Sequence, residues 1–163
     1  MPHIHSHNEV LFRRLLQQYQ LALYWHIRHI VGTHEDAEDA LQETFLRAYR
    51  HIDKLREASS EKAWLYRIAT NEALRLVEAR QQTDDVADHD PVQVEAPDYD
   101  TLQQALSAAI EQLPPRQRAV FCMRYYDEME YEDIASATDS NVKAVTVNFH
   151  HAKERIRQYL LSL

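Results

Sequence analysis

SNVKAVTVNFHHAKERI, residues 140–156, is written as a helix with a cap at its start, an apolar stripe and a mixed polar face. Val142, Val145, Phe149, Ala152 and Ile156, continued by Leu160, recur at steps of three and four, the spacing of one helix face. Asn141 is a good cap for the start of that helix. The run before it, YEDIASAT, is a shorter helix, and Asp139-Ser140 breaks the two apart. A short helix, a tight turn and a longer helix make a helix-turn-helix, the unit that lays its second helix in a DNA groove. The first two turns of this second helix carry one basic residue, Lys143, where a DNA reader usually carries several.

Working outward, RQRAVFCMRYYD follows Pro114-Pro115, which opens a helix because proline is tolerated in the first turn. Val120, Phe121 and Tyr125 are expected in its core. Residues 101–112 read as one more short helix. Upstream, Leu11, Leu15, Leu16, Tyr19, Leu23, Ile27 and Ile30 mark a helix over 9–31, which Gly32 ends as a left-handed cap. Thr33 can cap the next helix, with Asp36 as its reciprocal partner. Ala37, Leu41, Thr44, Phe45, Ala48 and Ile52 face inward, and Glu35, Asp36, Glu38 and Asp39 sit where the helix dipole favours acids. A loop, DKLREASSEK, leads to a third helix over AWLYRIATNEALRLVEAR. Its stripe is Trp64, Leu65, Ile68, Ala69, Ala73, Leu76 and Val77.

The chain has 163 residues, one Gly and five Pro, and 45% of it is hydrophobic. So few backbone breakers suit long helices. No apolar run approaches the length of a membrane span. The start, MPHIHSHNEV, lacks the regions of a signal peptide, and a single cysteine, Cys122, excludes an internal disulfide. A cytoplasmic protein without membrane insertion is the expectation. The net charge of −8 speaks against a nucleic-acid partner until its distribution is considered. Residues 81–101 hold seven acids (Asp84, Asp85, Asp88, Asp90, Glu95, Asp98 and Asp100) and no Lys or Arg, while the flanking stretches nearly balance. With Pro91 and Pro97 and no apolar period, that segment reads as a flexible acidic linker. The expectation is an all-α chain of two small helical domains, residues 1–80 and 101–163, joined by a linker over 81–100, the second domain ending in the helix-turn-helix.

An enzyme finds no support. The chain has no Gly-rich phosphate loop, no paired Cys and no HExxH, so neither catalytic nor metal residues nor a cofactor are expected. His3, His5 and His7 belong to a tail. His150 and His151, adjacent on a helix, point about 100° apart and suit one metal ion poorly.

EDAEDALQETFLRAY places Asp36, Asp39, Gln42, Glu43 and Arg47 on or beside one polar face, with Phe45, Leu46 and Tyr49 interleaved. At these residues the chain resembles a family. DAEDALQETFLRAYRHID resembles the core-polymerase-binding segment of bacterial RNA polymerase sigma factors of the extracytoplasmic-function (ECF) type. AWLYRIATNEAL resembles their promoter-melting helix, and LPPRQRAVFCMRYYDEMEYEDIA resembles their region four. The wording YRIATNEAL and FHHAKERI is most similar to Bacteroidetes-type members.

The resemblance implies a transcription initiation factor that binds core RNA polymerase and directs it to promoter DNA, with an anti-sigma factor as a further partner. It implies polymerase binding by Asp36, Asp39, Gln42, Glu43, Phe45, Leu46 and Tyr49. Lys54, Arg56, Lys62, Arg67 and Arg75 would meet phosphates of the −10 element, Asn71 a base or the backbone, and Tyr66, exposed by phase, would stack on a base. The −35 element would meet Lys143, Thr146, Val147 and Asn148, with His150, His151, Lys153 and Arg155 beside the backbone. Here the sequence departs from the family pattern Ser-Val-Gly-Thr-Val-Lys-Ser-Arg: Lys143 replaces the Gly, and Thr146 and Asn148 replace basic residues. Asp139 stands where the turn usually has Gly. Such a helix suits an AT-rich element, since Asn pairs with adenine edges and Thr and Val touch thymine methyls. The competing reading is a sigma-like mimic that sequesters an anti-sigma factor.

Overall fold

The apolar spacing produces seven α-helices and one 3-10 turn in the computed structural model, which describes residues 2–58, 60–83 and 100–163; no strand occurs among them. The first half holds α1 (Pro2–Val31), α2 (His34–Arg50), a 3-10 turn (Ile52–Glu57) and α3 (Glu61–Thr83). The second half holds α4 (Asp100–Glu111), α5 (Pro115–Tyr125), α6 (Tyr131–Ala137) and α7 (Val142–Leu161). The acidic segment expected to link them lies, from 84 to 99, outside the described residues. None of the described helices is long and apolar enough to cross a membrane.

Helix α1 starts seven residues earlier than its apolar pattern, because Pro2 suits a first turn and nothing before residue 9 breaks a helix. The Asn8 amide donates to Asp53 in the 3-10 turn (3.2 Å) and fastens this extension to the fold. That turn occupies much of the stretch expected as a loop. Gly32 ends α1 at φ 87°, and its N–H donates to the Arg28 carbonyl (3.1 Å), the single-bond form of a left-handed cap. Thr33 then caps α2 by accepting from the Asp36 N–H. The reciprocal half of the expected capping box is replaced: the Asp36 carboxylate pairs with Arg80 of α3.

All six residues expected to face inward from α2 and its exit are buried. Helix α3 differs from its expectation. Leu65, Ala69 and Ala73 of its stripe are buried, yet so are Ala63, Tyr66, Thr70, Glu72 and Leu74. The reason is that α3 packs against α1 and α2 on one side and α5 and α6 on the other. A helix covered on two sides keeps no single apolar stripe. Tyr66, expected to be exposed, is fully buried. Trp64, at the stripe's edge, is half-buried against the core. The polar members of α3 are matched: Glu72 takes Arg47 of α2 (2.6 Å) and Arg75 (2.5 Å), and Thr70 meets the buried His26 (2.8 Å). Burial pushes His26 down to about 3, so it is a neutral imidazole.

In the second half, Val120 and Phe121 are buried as expected, but Tyr125 is exposed and stacks its ring on Phe121 (5.3 Å) at the edge of the cluster. Val142 is likewise exposed, because it opens α7 at the turn. The turn itself is a Schellman motif. The Ser140 N–H donates to the Ala135 carbonyl (2.9 Å) and the Asp139 N–H to Ser136 (3.5 Å), with Asp139 at φ 51° where glycine is the ordinary choice. Asn141 caps α7 by accepting from the Ala144 N–H (2.8 Å). One buried cluster runs through both halves, from Leu15, Leu23 and Phe45 to Val120, Met129, Ile134 and Val145; Ile110, Phe121, Cys122 and Ile156 belong to a smaller one within the second half.

Gly32→Ala puts a Cβ into a left-handed residue and is expected to cost about 1–2 kcal/mol, read as a lower midpoint in denaturant titration; an unchanged midpoint would show that the α1–α2 corner relaxes freely.

Candidate nucleic-acid and partner surfaces

The first surface is a groove of about 460 Å³ between α1 and α2. Phe45 forms its floor at 7% exposure, and Leu46 and Tyr49, 46% and 48% exposed, stand at its rim with Asp39 and Gln42. Phe12 of α1 packs edge-on against Tyr49 (5.2 Å) and Phe45 (6.1 Å). Exposed aromatic and aliphatic side chains in a groove rimmed by an acid and an amide suit a protein partner, whose binding energy concentrates in such anchors. Five of the seven residues assigned to polymerase binding therefore share one groove. Asp36 and Glu43 do not line it. Asp36 is engaged by Arg80, and Glu43 faces Arg47 (3.3 Å). The sequence reading missed the opposite wall, Phe12, Leu16 and Gln20. Leu16 was legible in the stripe of α1, but Phe12 could be placed only once α2 was known to cross there.

The second surface is the face of α3 and the 3-10 turn. Lys54, Arg56, Asn71 and Arg75 are exposed. Tyr66 is buried, Lys62 is partly covered, and Arg67, though exposed, is paired; each contacts the second half. The Lys62 ammonium donates to the Asp127 backbone carbonyl (2.7 Å), and the Tyr66 hydroxyl donates to the Asp127 carboxylate (2.6 Å). Arg67 pairs with Asp139 (2.8 Å). In this arrangement Tyr66 cannot stack on a base, which corrects the expectation drawn from its helical phase. Burial drives the Tyr66 hydroxyl above its ordinary range. Burial also pushes the Asp127 carboxyl up to about 6, against the Tyr66 hydrogen bond and the Lys62 charge, which favour the ionised form.

The third surface is α7. Lys143, Thr146, Val147, His150 and His151 are exposed together, with Thr146 hydrogen-bonded to the Val142 carbonyl (2.8 Å). Lys153 stands over the Phe149 ring (4.9 Å), and Arg155 is exposed further along. Asn148 is turned away from this group. It lines a crevice of about 230 Å³ with Asp139, Ser140, Arg116 of α5 and Leu74 of α3. Arg116, exposed in the first turn of α5, is a basic residue beside α7 that the sequence reading did not assign.

A fourth feature was not anticipated. Arg118 of α5 is buried between the halves. Its guanidinium donates to the carbonyls of Ile30 (2.9 Å) and His29 (3.3 Å), at the end of α1, and to those of Glu111 (2.9 Å) and Leu113 (2.8 Å), at the end of α4. Two helix C-termini, each carrying partial negative charge, converge on one cation. Burial lowers the pKa of Arg118 from the ordinary guanidinium value. Beside it the His29 ring lies flat on Tyr126 (4.8 Å). Cys122, on the same helix, is fully buried, and burial drives its thiol well up, which leaves it inert.

Two family models match parts of this chain. Residues 15–83 match the family model for sigma-70 region 2, and residues 103–156 match that for sigma-70 region 4. The RNA polymerase sigma-H factor of Pseudomonas aeruginosa is 31% identical over 168 residues, covering 93% of this chain and 87% of that protein. The ECF RNA polymerase sigma factor SigE of Mycolicibacterium smegmatis is 30% identical over 155 residues; the match covers 90% of this chain but 60% of that longer protein. Among solved structures, the sigma factor RpoE in complex with the anti-sigma factor NepR, from Bartonella quintana, shares the fold with a TM-score of 0.78 at 24% identity, covering 91% of this chain and 96% of that one. The chain belongs to the ECF-type sigma factors of the sigma-70 family. Sigma factors are DNA-binding regulators that direct transcription initiation to promoters.

The raised Asp127 pKa has a consequence for stability. A carboxyl held above its unfolded value near 3.8 contributes stability that is full below that value and is lost as pH rises through about 6. Asp127→Asn keeps an acceptor for Tyr66 and removes the buried charge. Its melting temperature is expected to exceed that of the parent at pH 7.5 and to match it near pH 4; equal values at both would show that Asp127 titrates as a solvated carboxyl.

Proposed function

We propose that the α1–α2 groove docks this chain on core RNA polymerase, through Asp39, Gln42, Leu46 and Tyr49 over the Phe12–Phe45 floor. That groove is the observation that carries the reading. Asp36 and Glu43 support it from behind, by fixing α2 on α3 through Arg80 and Arg47. The first domain, residues 1–80, then presents Lys54, Arg56, Lys62, Arg67, Asn71 and Arg75 to the −10 element. The second domain, residues 101–163, presents Lys143, Thr146, Val147, His150, His151, Lys153 and Arg155 to the −35 element, with Asn148 at the flank and Arg116 adding a phosphate contact. The acidic segment 81–100 joins them.

The sparse basic character of α7 is compatible with this work. Polymerase supplies a second tether, so the −35 contact acts at high effective concentration and needs little affinity of its own. An anti-sigma factor is the natural regulator, and the Bartonella quintana structure holds one on the same fold. The protein acts in the cytoplasm, where polymerase is. The wording YRIATNEAL and FHHAKERI supports a Bacteroidetes-type member of the family. The weakly basic α7 also favours a second reading, a mimic that occupies an anti-sigma factor.

Run-off transcription from genomic fragments with purified core polymerase separates the two. Promoter-specific transcripts are expected, and Leu46→Ala with Tyr49→Ala should weaken core binding by at least about tenfold, the scale of a lost interface anchor. Core binding or transcription unaffected by those substitutions would remove the groove from the interface. Absence of both core binding and transcripts would favour the mimic. On a promoter so identified, Lys143→Ala is expected to flatten the salt dependence of polymerase binding by about one unit of slope, the signature of one lost phosphate contact.

A further inference from the structure

We infer that the −35 contact of this chain is proton-linked: His150 and His151 supply charge on the DNA-facing side of α7, so that α7 holds DNA phosphates more tightly as pH falls. The inference rests on the assignment of α7 to DNA made above.

Three observations carry it. First, half of the fixed positive charge of α7 is engaged within the helix. Its cations are Lys143, Lys153, Arg155 and Arg157, and its one acid is Glu154. Lys153 stands over the Phe149 ring (4.9 Å), and Arg157 reaches Glu154 (3.9 Å). Lys143 and Arg155 are then the fixed cations most open to a phosphate. Two imidazolium groups would double that number.

Second, the two imidazoles stand on the side of α7 that a groove would meet. They follow Val147 by three and four residues, so the exposed row from Lys143 through Val147 divides between them on the next turn. Both are exposed, with 6.1 Å between ring centroids. A helix lying in the major groove has a phosphate strand on either side, and neighbouring side chains about 100° apart reach toward both.

Third, no ion pair holds either imidazole in the fold. Helix α7 packs on α4, α5 and α6. On α5, Arg116 lines the Asn148 crevice, Arg118 and Cys122 are buried, and Arg124 covers the Tyr131 ring of α6 (4.9 Å). Tyr125 stacks on Phe121. Glu132 and Asp133 open α6, and Glu111 ends α4 beside Arg118. Glu154 lies one turn on, along α7 itself. Among the described residues, none of these groups forms an ion pair with His150 or His151. Histidine changes charge between about pH 5 and 8, and an anion beside it favours the protonated ring. A DNA phosphate at either position therefore holds a proton that the unbound chain releases at the same pH. Binding takes up protons, so affinity rises as pH falls through that range.

The test uses the full chain and a labelled DNA duplex of mixed sequence, because phosphate contacts do not depend on the bases. Fluorescence anisotropy gives the affinity over a salt series near pH 6 and near pH 8. Against His150→Gln with His151→Gln, the parent is expected to bind about tenfold tighter near pH 6, the effect of one pKa unit gained on binding. Its salt dependence there should be steeper by about one to two units. Near pH 8 the two should bind alike. His150→Arg with His151→Arg should bind near pH 8 at least as tightly as the parent near pH 6. Asp127, with its carboxyl pushed up to about 6, is present in every variant and does not account for a difference between them.

Equal affinity of the parent and the Gln pair near pH 6 would overturn the linkage. Lys143→Ala keeps the DNA assignment separable. A flatter salt dependence in that variant, beside an unaltered pH dependence in the Gln pair, would leave α7 on DNA and remove the linkage alone. No change in any of these variants, or no binding at either pH down to the lowest salt, would overturn both.

Discussion

A buried guanidinium sets how the two halves of this chain meet. Arg118 reaches from α5 to the carbonyls that end α1 and those that end α4, so one side chain satisfies groups that two helices leave unpaired. A buried cation is costly without partners, and here four carbonyls supply them. Once α5 is anchored on the end of α1, α6 lies along α3, and the segment between α5 and α6 falls on Lys62 and Tyr66. The single glycine serves the same junction from the other side. Gly32 turns the chain immediately after the carbonyls that Arg118 holds.

Helix α3 is the member on which every function converges. Its Glu72 and Arg80 hold α2 and so shape the partner groove. Its exposed Asn71 and Arg75 face solvent, while Lys62, Tyr66 and Arg67 face the second half. A sigma factor built this way couples its surfaces physically. Lys62, Tyr66 and Arg67 of α3 and the crevice containing Asn148 of α7 lie at one interface between the halves, whereas the α1–α2 groove lies away from it.

Much of this was legible in the sequence. The helix-turn-helix followed from apolar spacing and the Asn141 cap, and the inward face of α2 followed residue for residue, because both belong to helices with one buried side. The groove residues of α2 were legible for the converse reason: Leu46 and Tyr49 are apolar side chains left on the wet side of a periodic helix. The reading failed where a helix is buried twice. Tyr66 lies off the main stripe of α3 and so looked exposed, but a second covering layer from distant sequence makes it core. Arg118 was invisible for a related cause. An arginine in a mid-helix run reads as solvated until two helix ends from elsewhere are brought to it. Tyr125 and Val142 erred in the other direction, since correct phase at a helix end does not guarantee a neighbour to pack against.

The packing of both halves on α3 makes the free chain one closed body. Small-angle X-ray scattering of the isolated protein at low concentration tests it most directly. A closed chain of this length should give a radius of gyration of about 15–17 Å and a single compact profile. A two-lobed profile, with a radius several ångströms larger, would contradict it and show that the halves meet only when another molecule holds them together.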